Sequence, residues 1–475
     1  MKLSRRSFLN TAVASTAAMA ASPKIIGATQ NASELSPGPG NKWPGRVVIN
    51  YNKNAVKNVA DPVPEVIKQM VDDCILRLTD ESSIGAAWKA IFPSTLTAQS
   101  KIAIKVFCAE PRVPTHWSSI RAISDGLQQM DINGSTLPAS SITIYEGNAS
   151  NQFAAAEFTA ANFPGIKLAY WSSGKFVDGG DGAFSNRPYA GTLKDADFLI
   201  NVFNPRGHSI GSTFTIGFKS HYGTYELNTG KSGDLHNNAA ENLRDMHCIG
   251  PVFKKNVLSV CSGILGMKEG KGPTGSAQSY LNYTKTIDPA STCDCPCTII
   301  MSTDPVSCEM QTIKMMRLNN SPAGKYGISD MPTYLRASAG ISGALSGTTY
   351  NIGIIDEAEM DIRRVIDGVT DIGTHAPARM AKAESGIIVS SLPGRNATFI
   401  EYRLPPECIG EKAVISIHTL KGAVVYEHQL MIPGRISHFS WNNSDRRGVS
   451  VAPGRYMAQL TTGTLRLSTG FSITG

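Results

Sequence analysis

The sequence predicts an α/β core domain with a largely parallel sheet, followed by a small all-β sandwich. Three observations lead there. Apolar, strand-like runs alternate with helical patterns from Asp61 to Leu318. Beyond Thr398 the pattern becomes short period-two strands separated by turn residues. The 475 residues are 41% hydrophobic and 17% charged, an ordinary globular balance in a chain long enough for about two or three domains.

In chain order, Asp61–Asp80 reads as the first helix. Val66, Ile67, Met70, Val71, Cys74, Ile75 and Leu78 recur at helical spacing, and Asp61-Pro62 suits a helix start. "KIAIKVF" (101–107) reads as a strand and "THWSSIRAISDGLQQM" (115–130) as a helix capped by Thr115. "SITIYEG" (141–147) is the next strand and Asn148–Phe163 the next helix. "IKLAYW" (166–171) and "DFLINVF" (197–203) are two more strands. A helix, "LHNNAAENLRDMH" (235–247), precedes the strands "NVLSVCSG" (256–263) and "CTIIMST" (297–303). "DPVSCEMQTIKMMRL" (304–318) closes the series as a helix with Asp304 at its cap and Pro305 in its first turn. Ligands of parallel sheets sit beyond the carboxyl ends of strands. That rule puts Phe107, Gly147, Phe203, Gly263 and Thr303 at the ligand edge. From Thr398 the strands are "TFIEYRL", "KAVISIHTL", "AVVYEHQL", "ISHFSWN", "GRYMAQLTT" and "LRLSTGFSI".

The N-terminus, "MKLSRRSFLNTAVASTAAMAAS", has a charged start, paired Arg5 and Arg6, an Ala-rich run and small residues after it. It resembles a twin-arginine export signal, with Ser4-Arg5-Arg6-Ser7-Phe8-Leu9 in the expected order. Residues 1–28 are therefore read as the signal, 29–44 as a flexible lead-in, 45–385 as the α/β domain, 386–397 as a linker and 398–475 as the sandwich. The expected location is outside the cytoplasm, in the periplasm or at the cell surface. No later run is long and apolar enough for a transmembrane segment. Net charge is only +7, with no basic stripe interleaved with aromatics, which argues against a nucleic-acid partner.

Charge and imidazole concentrate in one place. "FNPRGHSIGSTFTIGFKSHYG" (203–223) follows an apolar strand and carries Arg206, His208, Lys219 and His221 among glycines 207, 211, 217 and 223. Glycine lets the backbone approach a ligand closely. Arg206 can grip a carboxylate or phosphate, Lys219 can act as a base if desolvated, and His208 can exchange protons near neutral pH. His208 and Lys219 are thus the expected catalytic residues. Arg206, His221, Lys268 and Asp304 are the expected ligand contacts, and His208, His221 and His236 the set that would hold a metal ion. Glu146, ending its own strand, is a further acid. The Gly-rich turn "GILGMKEGKGPTG" (263–275) is similar to a phosphate-cradling loop in composition but lacks that motif's order. Among the nine cysteines, "CDCPC" (293–297) has neither zinc-knuckle nor iron–sulfur spacing. Its cysteines two apart are poor mutual partners, and a bridge from one of them to Cys261 or Cys308 is an alternative.

Several ordered blocks in residues 45–370 resemble a bacterial family known only as domain of unknown function 362. They are "KIAIKVF", "FLINVFNPRGHSIGSTFTIGFKSHYG", "LHNNAAENLRDM", "VLSVCSGILGMKEGKGPTG" and "IIMSTDPVSCEM". The chain departs from that family's pattern at Arg206, where Lys is usual, at His221, where Asn is common, at Cys261-Ser262, where Asp is usual, and at Glu309, where Asp is common. The resemblance implies a fold and a pocket rather than a reaction. The last eighty or so residues are similar to Ig-like modules of flagellar hook-capping and secretion-sorting proteins, through Trp441, Gly448, Gly454 and Tyr456. That resemblance implies secretion or cell-surface machinery as a partner. The first functional reading is thus an exported protein binding a metal ion or small anionic ligand at strand ends, with any reaction unspecified. The second is a non-catalytic binding protein attached through its β-sandwich. A third is a family member that has lost its activity.

Overall fold

The computed structural model describes residues 35–475 apart from 58–60, 109, 111, 148–151, 172–175, 178–186, 209–213, 230–232, 271–274, 289–290, 321–325, 371–385, 392–397, 405–407, 409–410, 420–421, 433–435, 464 and 474–475. The export-signal residues 1–28 and part of the lead-in lie outside the described residues.

A nine-stranded sheet organises the core. Its strands are β1 (Arg46–Tyr51), β2 (Ile102–Lys105), β3 (Ile142–Gly147), β4 (Lys167–Trp171), β5 (Phe198–Phe203), β6 (Asn256–Gly263), β7 (Thr298–Ser302), β8 (Asp361–Ile366) and β9 (Val369–Thr370). Their spatial order is β9-β8-β1-β7-β6-β5-β2-β3-β4. All run one way except β7 and β9, which run against the rest. Every residue of β5 and β6 is buried. Uncharged strands buried along their whole length belong to a sheet covered on both faces.

Helices supply the covers. On one face α1 (Pro64–Thr79), α2 (Ile84–Ala90) and α3 (Trp117–Leu127) pack Ile67, Val71, Ile75, Ile120 and Ile123 against Ile102, Ile104, Ile144 and Val202. The other face carries α4 (Gly217–Ser220), α5 (Ala239–Cys248), α6 (Pro305–Asn320) and α7 (Thr333–Ser338), with Leu243, Met246, Ile313 and Leu335 against Ala103, Leu199, Phe203 and Cys261. Each such aliphatic side chain contributes about 1.5–3 kcal/mol when fully buried. The helix starts differ in detail from expectation. Pro64, not Asp61-Pro62, opens α1. His116 caps α3, because the Thr115 hydroxyl is taken by the Phe107 amide at 3.0 Å. Residues 152–157 form turns rather than the expected helix, and Glu157 sits at φ 63°, which breaks a helical path.

Chain order and spatial order together locate a special point. From β2 the chain steps outward through β3 to β4. It then returns to the other side of β2 for β5 and continues to β6. The order therefore reverses between β2 and β5. At such a reversal the connections leave on opposite faces, opening a crevice beyond the carboxyl ends.

β7 corrects one expectation. It is antiparallel to β1 and β6, with Val48 opposite Met301 and Gly263 opposite Thr298. Its carboxyl end, Thr303-Asp304, therefore lies at the opposite edge of the sheet from the crevice. Asp304, expected as a ligand contact, is engaged there by the protein's own backbone. It is fully buried, and its carboxylate accepts from the amides of Val306, Ser307, Gly45 and Ile354 at 2.9–3.0 Å. It caps α6 and ties two loops to that cap.

The C-terminal region is antiparallel all-β. Its strands are β10 (Gly386–Ser391), β11 (Thr398–Arg403), β12 (Lys412–Thr419), β13 (Val424–Met431), β14 (Ile436–Trp441), β15 (Gly454–Thr461) and β16 (Arg466–Ile473). They form the sheets β10-β11-β14 and β13-β12-β15-β16 around a core of Ile400, Tyr402, Ile415, Ile417, Trp441, Ala458 and Leu460. The expected linker begins as a strand instead: Gly386–Ser391 pairs along its length with β11. Among the described residues no helix is long and apolar enough to cross a membrane.

Candidate functional site at the strand-order reversal

Two charged residues lie at the carboxyl ends of β2, which borders the crevice, and of its outer neighbour β3. Lys105 closes β2 and Glu146 lies near the end of β3, and both are buried. Lys105 Nζ donates to Glu146 Oε1 at 3.0 Å and to the Val106 carbonyl at 2.7 Å. Glu146 Oε2 accepts from the Cys108 amide at 3.2 Å. Burial pushes the Glu146 carboxyl up, and the pull of Lys105 does not fully offset it. Within Ile102–Lys105 and Ile142–Gly147 these are the lone charges, a signal that the sequence carries.

Residues 217–225 form a shelf over this pair. Asn201, on β5, accepts from the Ser220 hydroxyl at 2.7 Å and donates to the Gly217 carbonyl at 2.8 Å. Glu309, on α6, accepts from the Phe218 amide at 3.1 Å and the Tyr334 hydroxyl at 2.8 Å. Burial pushes the Glu309 carboxyl up to about 8. The His247 ring stacks on Phe218 at 3.9 Å between centroids. The Tyr145 hydroxyl, Thr224 Oγ1 and His221 Nδ1 form a chain with steps of 3.0 and 2.9 Å.

Two of the expected glycines acquire a specific reason. A Cβ at Gly223 would stand 2.0 Å from Glu146 Oε1, and one at Gly217 would stand 2.6 Å from Glu309 Oε2. The close approach that glycine permits is made to the protein's own buried carboxylates.

The shelf leaves two polar groups unmatched. Lys219 Nζ and His221 Nε2 are buried and have no hydrogen-bond partner among the described residues. Lys219 is 4% exposed, and burial pulls its amine down to about 8. The amine lies 5.2 Å from the Tyr222 ring centroid. His221 is fully buried, and burial, with His247 and Lys105 nearby, pulls its imidazole well below the ordinary value. It is a neutral ring in the fold.

The other expected residues are dispersed around this centre. Arg206 is fully buried, with its guanidinium 4.4 Å above the Phe107 ring and its nitrogens on the Val113 carbonyl and Met267 Sδ. It ties the loop after β2 to the turn after β6. His208 and His236 stack at 5.7 Å, and the Tyr222 ring meets His236 edge-on at 5.0 Å. His236 Nδ1 is 2.8 Å from Asp234 Oδ1. His221 instead meets His247, at 5.0 Å. Among the described residues no three His, Cys, Asp or Glu side chains come together as a metal-binding group. Lys268 is half-buried on its turn, and its amide donates to Gln278 Oε1 at 3.0 Å.

A cleft of about 390 Å³ opens at the same sheet edge, lined by Arg112, Pro114, His116, Trp117, Leu265 and Ala277 among others. These residues follow β2 and β6 in the chain. The Arg112 charge is already matched by Glu110 at 2.7 Å.

Comparison with known proteins places the central segment. Residues 102–314 match the family model described as Domain of unknown function (DUF362). The matched segment runs from the start of β2 into α6 and contains Lys105, Glu146, Lys219, His221 and Glu309. None of the curated proteins matches the chain. Among solved structures the chain is similar to latent PorU from Porphyromonas gingivalis, at 14% identity over 19% of this chain and 9% of that one, with a TM-score of 0.17. It is similar to PorZ, a surface component of the type-IX secretion system of the same organism, at 17% identity over 22% and 13%, with a TM-score of 0.15. FlgD from P. aeruginosa matches at 17% identity over 19% and 65%, with a TM-score of 0.14. The chain thus spans less than two thirds of each of these proteins.

Proposed function

We propose that this is an exported protein that binds a small anionic molecule at the reversal between β2 and β5. One observation carries the reading: the Lys219 amine is buried with no hydrogen-bond partner among the described residues. A buried cation without a partner costs several kcal/mol, and such costs are retained where a ligand supplies the partner. His221 Nε2, a few residues on, is a second unmatched polar group. Around them Lys105 is already neutralised by Glu146, so an incoming anion meets Lys219 as the uncompensated charge. The same amine, held near pH 8, is the group on this shelf best suited to act as a base on a bound ligand.

Thermal unfolding at fixed ionic strength tests the reading. Inorganic phosphate, sulfate and succinate are compared on the wild type and on Lys219→Met. The expected result is that at least one anion raises the wild-type midpoint and leaves the variant unmoved. Equal responses in both proteins would remove Lys219 from the site.

Export rests on Ser4-Arg5-Arg6-Ser7-Phe8-Leu9. Replacing both arginines with lysine should hold the protein in the cytoplasm of its host, as read by fractionation. The C-terminal unit, read as Ig-like from Trp441, Gly448, Gly454 and Tyr456, would attach the protein at the surface or to secretion machinery.

A further inference from the structure

The cysteine motif lies at the same sheet edge as the site, because β7 runs against its neighbours and the motif leads into its first residue. Cys293 and Cys297, four residues apart, bring their sulfurs to 3.0 Å. Cys295, between them, makes no such contact; its carbonyl receives the Cys293 thiol at 3.5 Å. Cys297 is fully buried and adopts φ 46°, a left-handed conformation that side chains rarely take. Cys293 is only partly buried. Backbone strain in the loop thus accompanies the meeting of one accessible sulfur with one enclosed sulfur.

We propose that Cys293 and Cys297 form a reversible dithiol–disulfide pair whose co-substrates are small disulfides. Cys293, the accessible thiol, attacks one sulfur of the small disulfide. A mixed disulfide forms on Cys293, and one small thiolate leaves. Cys297 then attacks Cys293 Sγ and expels the second small thiolate. The protons of the two cysteines pass to the leaving thiolates, the protein loses two electrons and the small disulfide gains them. Support comes from Cys293 itself, which the Cys297 thiol holds down at about 7, in the range of an attacking thiol.

The pair also has a route to the ligand site. Pro296 would stand 3.1 Å from a Cβ on Gly266, and Asp294 accepts from the Tyr280 amide at 2.8 Å. The next residue, Met267, touches the Arg206 guanidinium. Closing the bridge stiffens one wall of the crevice.

The test uses the full folded chain in glutathione buffers of graded potential, acid-quenched and alkylated, with the disulfide mapped by peptide mass spectrometry. The expected result is a single bridge, Cys293–Cys297, that opens and closes reversibly across the range of reduced-to-oxidised glutathione ratios. Cys297→Ser should retain one glutathione, on Cys293, and Cys293→Ser should take none at Cys297. A bridge to Cys295, Cys261 or Cys308, stable glutathionylation of the wild type at Cys293, or thiols that stay reduced across that range would overturn the proposal. The wild-type map decides between these outcomes even if a serine variant folds poorly.

Discussion

Glu309→Gln isolates the energetics of the shelf. In the fold the Glu309 carboxyl titrates at about 8, against an ordinary value of 4.5. Between those pH values the folded chain holds a proton that the unfolded chain has released. Stability therefore falls as pH rises through this window. Each pH unit is worth about 1.4 kcal/mol, so the full span is on the order of 4–5 kcal/mol. Glutamine carries no such titration. Like the protonated carboxyl, its amide keeps one carbonyl oxygen for the Phe218 amide and turns a donor toward the Tyr334 oxygen, so the exchange itself adds little pH dependence. The buried histidines act oppositely: His221 and His247 are held below 6.5, so their contribution is lost as pH falls from there. Both are present in both proteins, so the difference between wild type and variant isolates Glu309. Urea unfolding, followed by fluorescence of the buried Trp88, should show the wild type losing stability relative to Glu309→Gln from pH 4.5 to 8. The variant should become the more stable of the two at the upper end. A constant difference across that range would mean that Glu309 is ionised throughout, and the argument from burial would fail.

Other perturbations address the same centre. Lys105→Met should cost about 3–5 kcal/mol because it strands the Glu146 carboxylate, whereas Lys105→Met combined with Glu146→Leu should recover most of that; additive losses in the urea double-mutant cycle would deny the coupling. Gly223→Ala should cost about 1–3 kcal/mol by pushing against the Glu146 carboxylate, while Gly463→Ala, with open space around it, should stay within about 0.5 kcal/mol; equal urea midpoints for the two would contradict the packing. Lys219→Met should stabilise the chain at pH 7, since the amine sits at about 8 in the fold against 10.5 free. That penalty is on the order of 3 kcal/mol below pH 8 and fades as pH rises toward 10.5, and a less stable variant at pH 7 would contradict it.

Strand positions were readable where burial on both faces excludes charge from a largely apolar run. β5 and β6, which carry no charged residue, fall within a residue of their expected limits for that reason. β1 and β8 escaped notice, because "RVVINY" and "DIRRVI" mix charge with short apolar stretches. Strand direction left no mark at all. "CTIIMST" has the composition of its parallel neighbours, yet it runs against them, and that reversal moves Asp304 away from the crevice. The density of Arg, His and Lys in residues 203–223 is visible in the sequence. Their individual roles were not readable, because they depend on partners far away in sequence. Arg206 is engaged by Val113 and Met267, and His221 Nδ1 by Thr224, whereas Lys219 Nζ and His221 Nε2 have no hydrogen-bond partner among the described residues. Glu309 stands out in the sequence only as a departure from the family pattern, and its role as the carboxyl that holds the shelf depends on Phe218 and Tyr334, distant in the chain.

The most direct test of the central claim is the reactivity of the Lys219 amine itself. Competitive acylation across a pH series, resolved residue by residue with mass spectrometry, gives its titration with and without inorganic phosphate. The account predicts a midpoint at about 8 and slowing of Lys219 by phosphate while surface lysines are unaffected. Titration near 10.5, with the same rate whether or not phosphate is present, would contradict it.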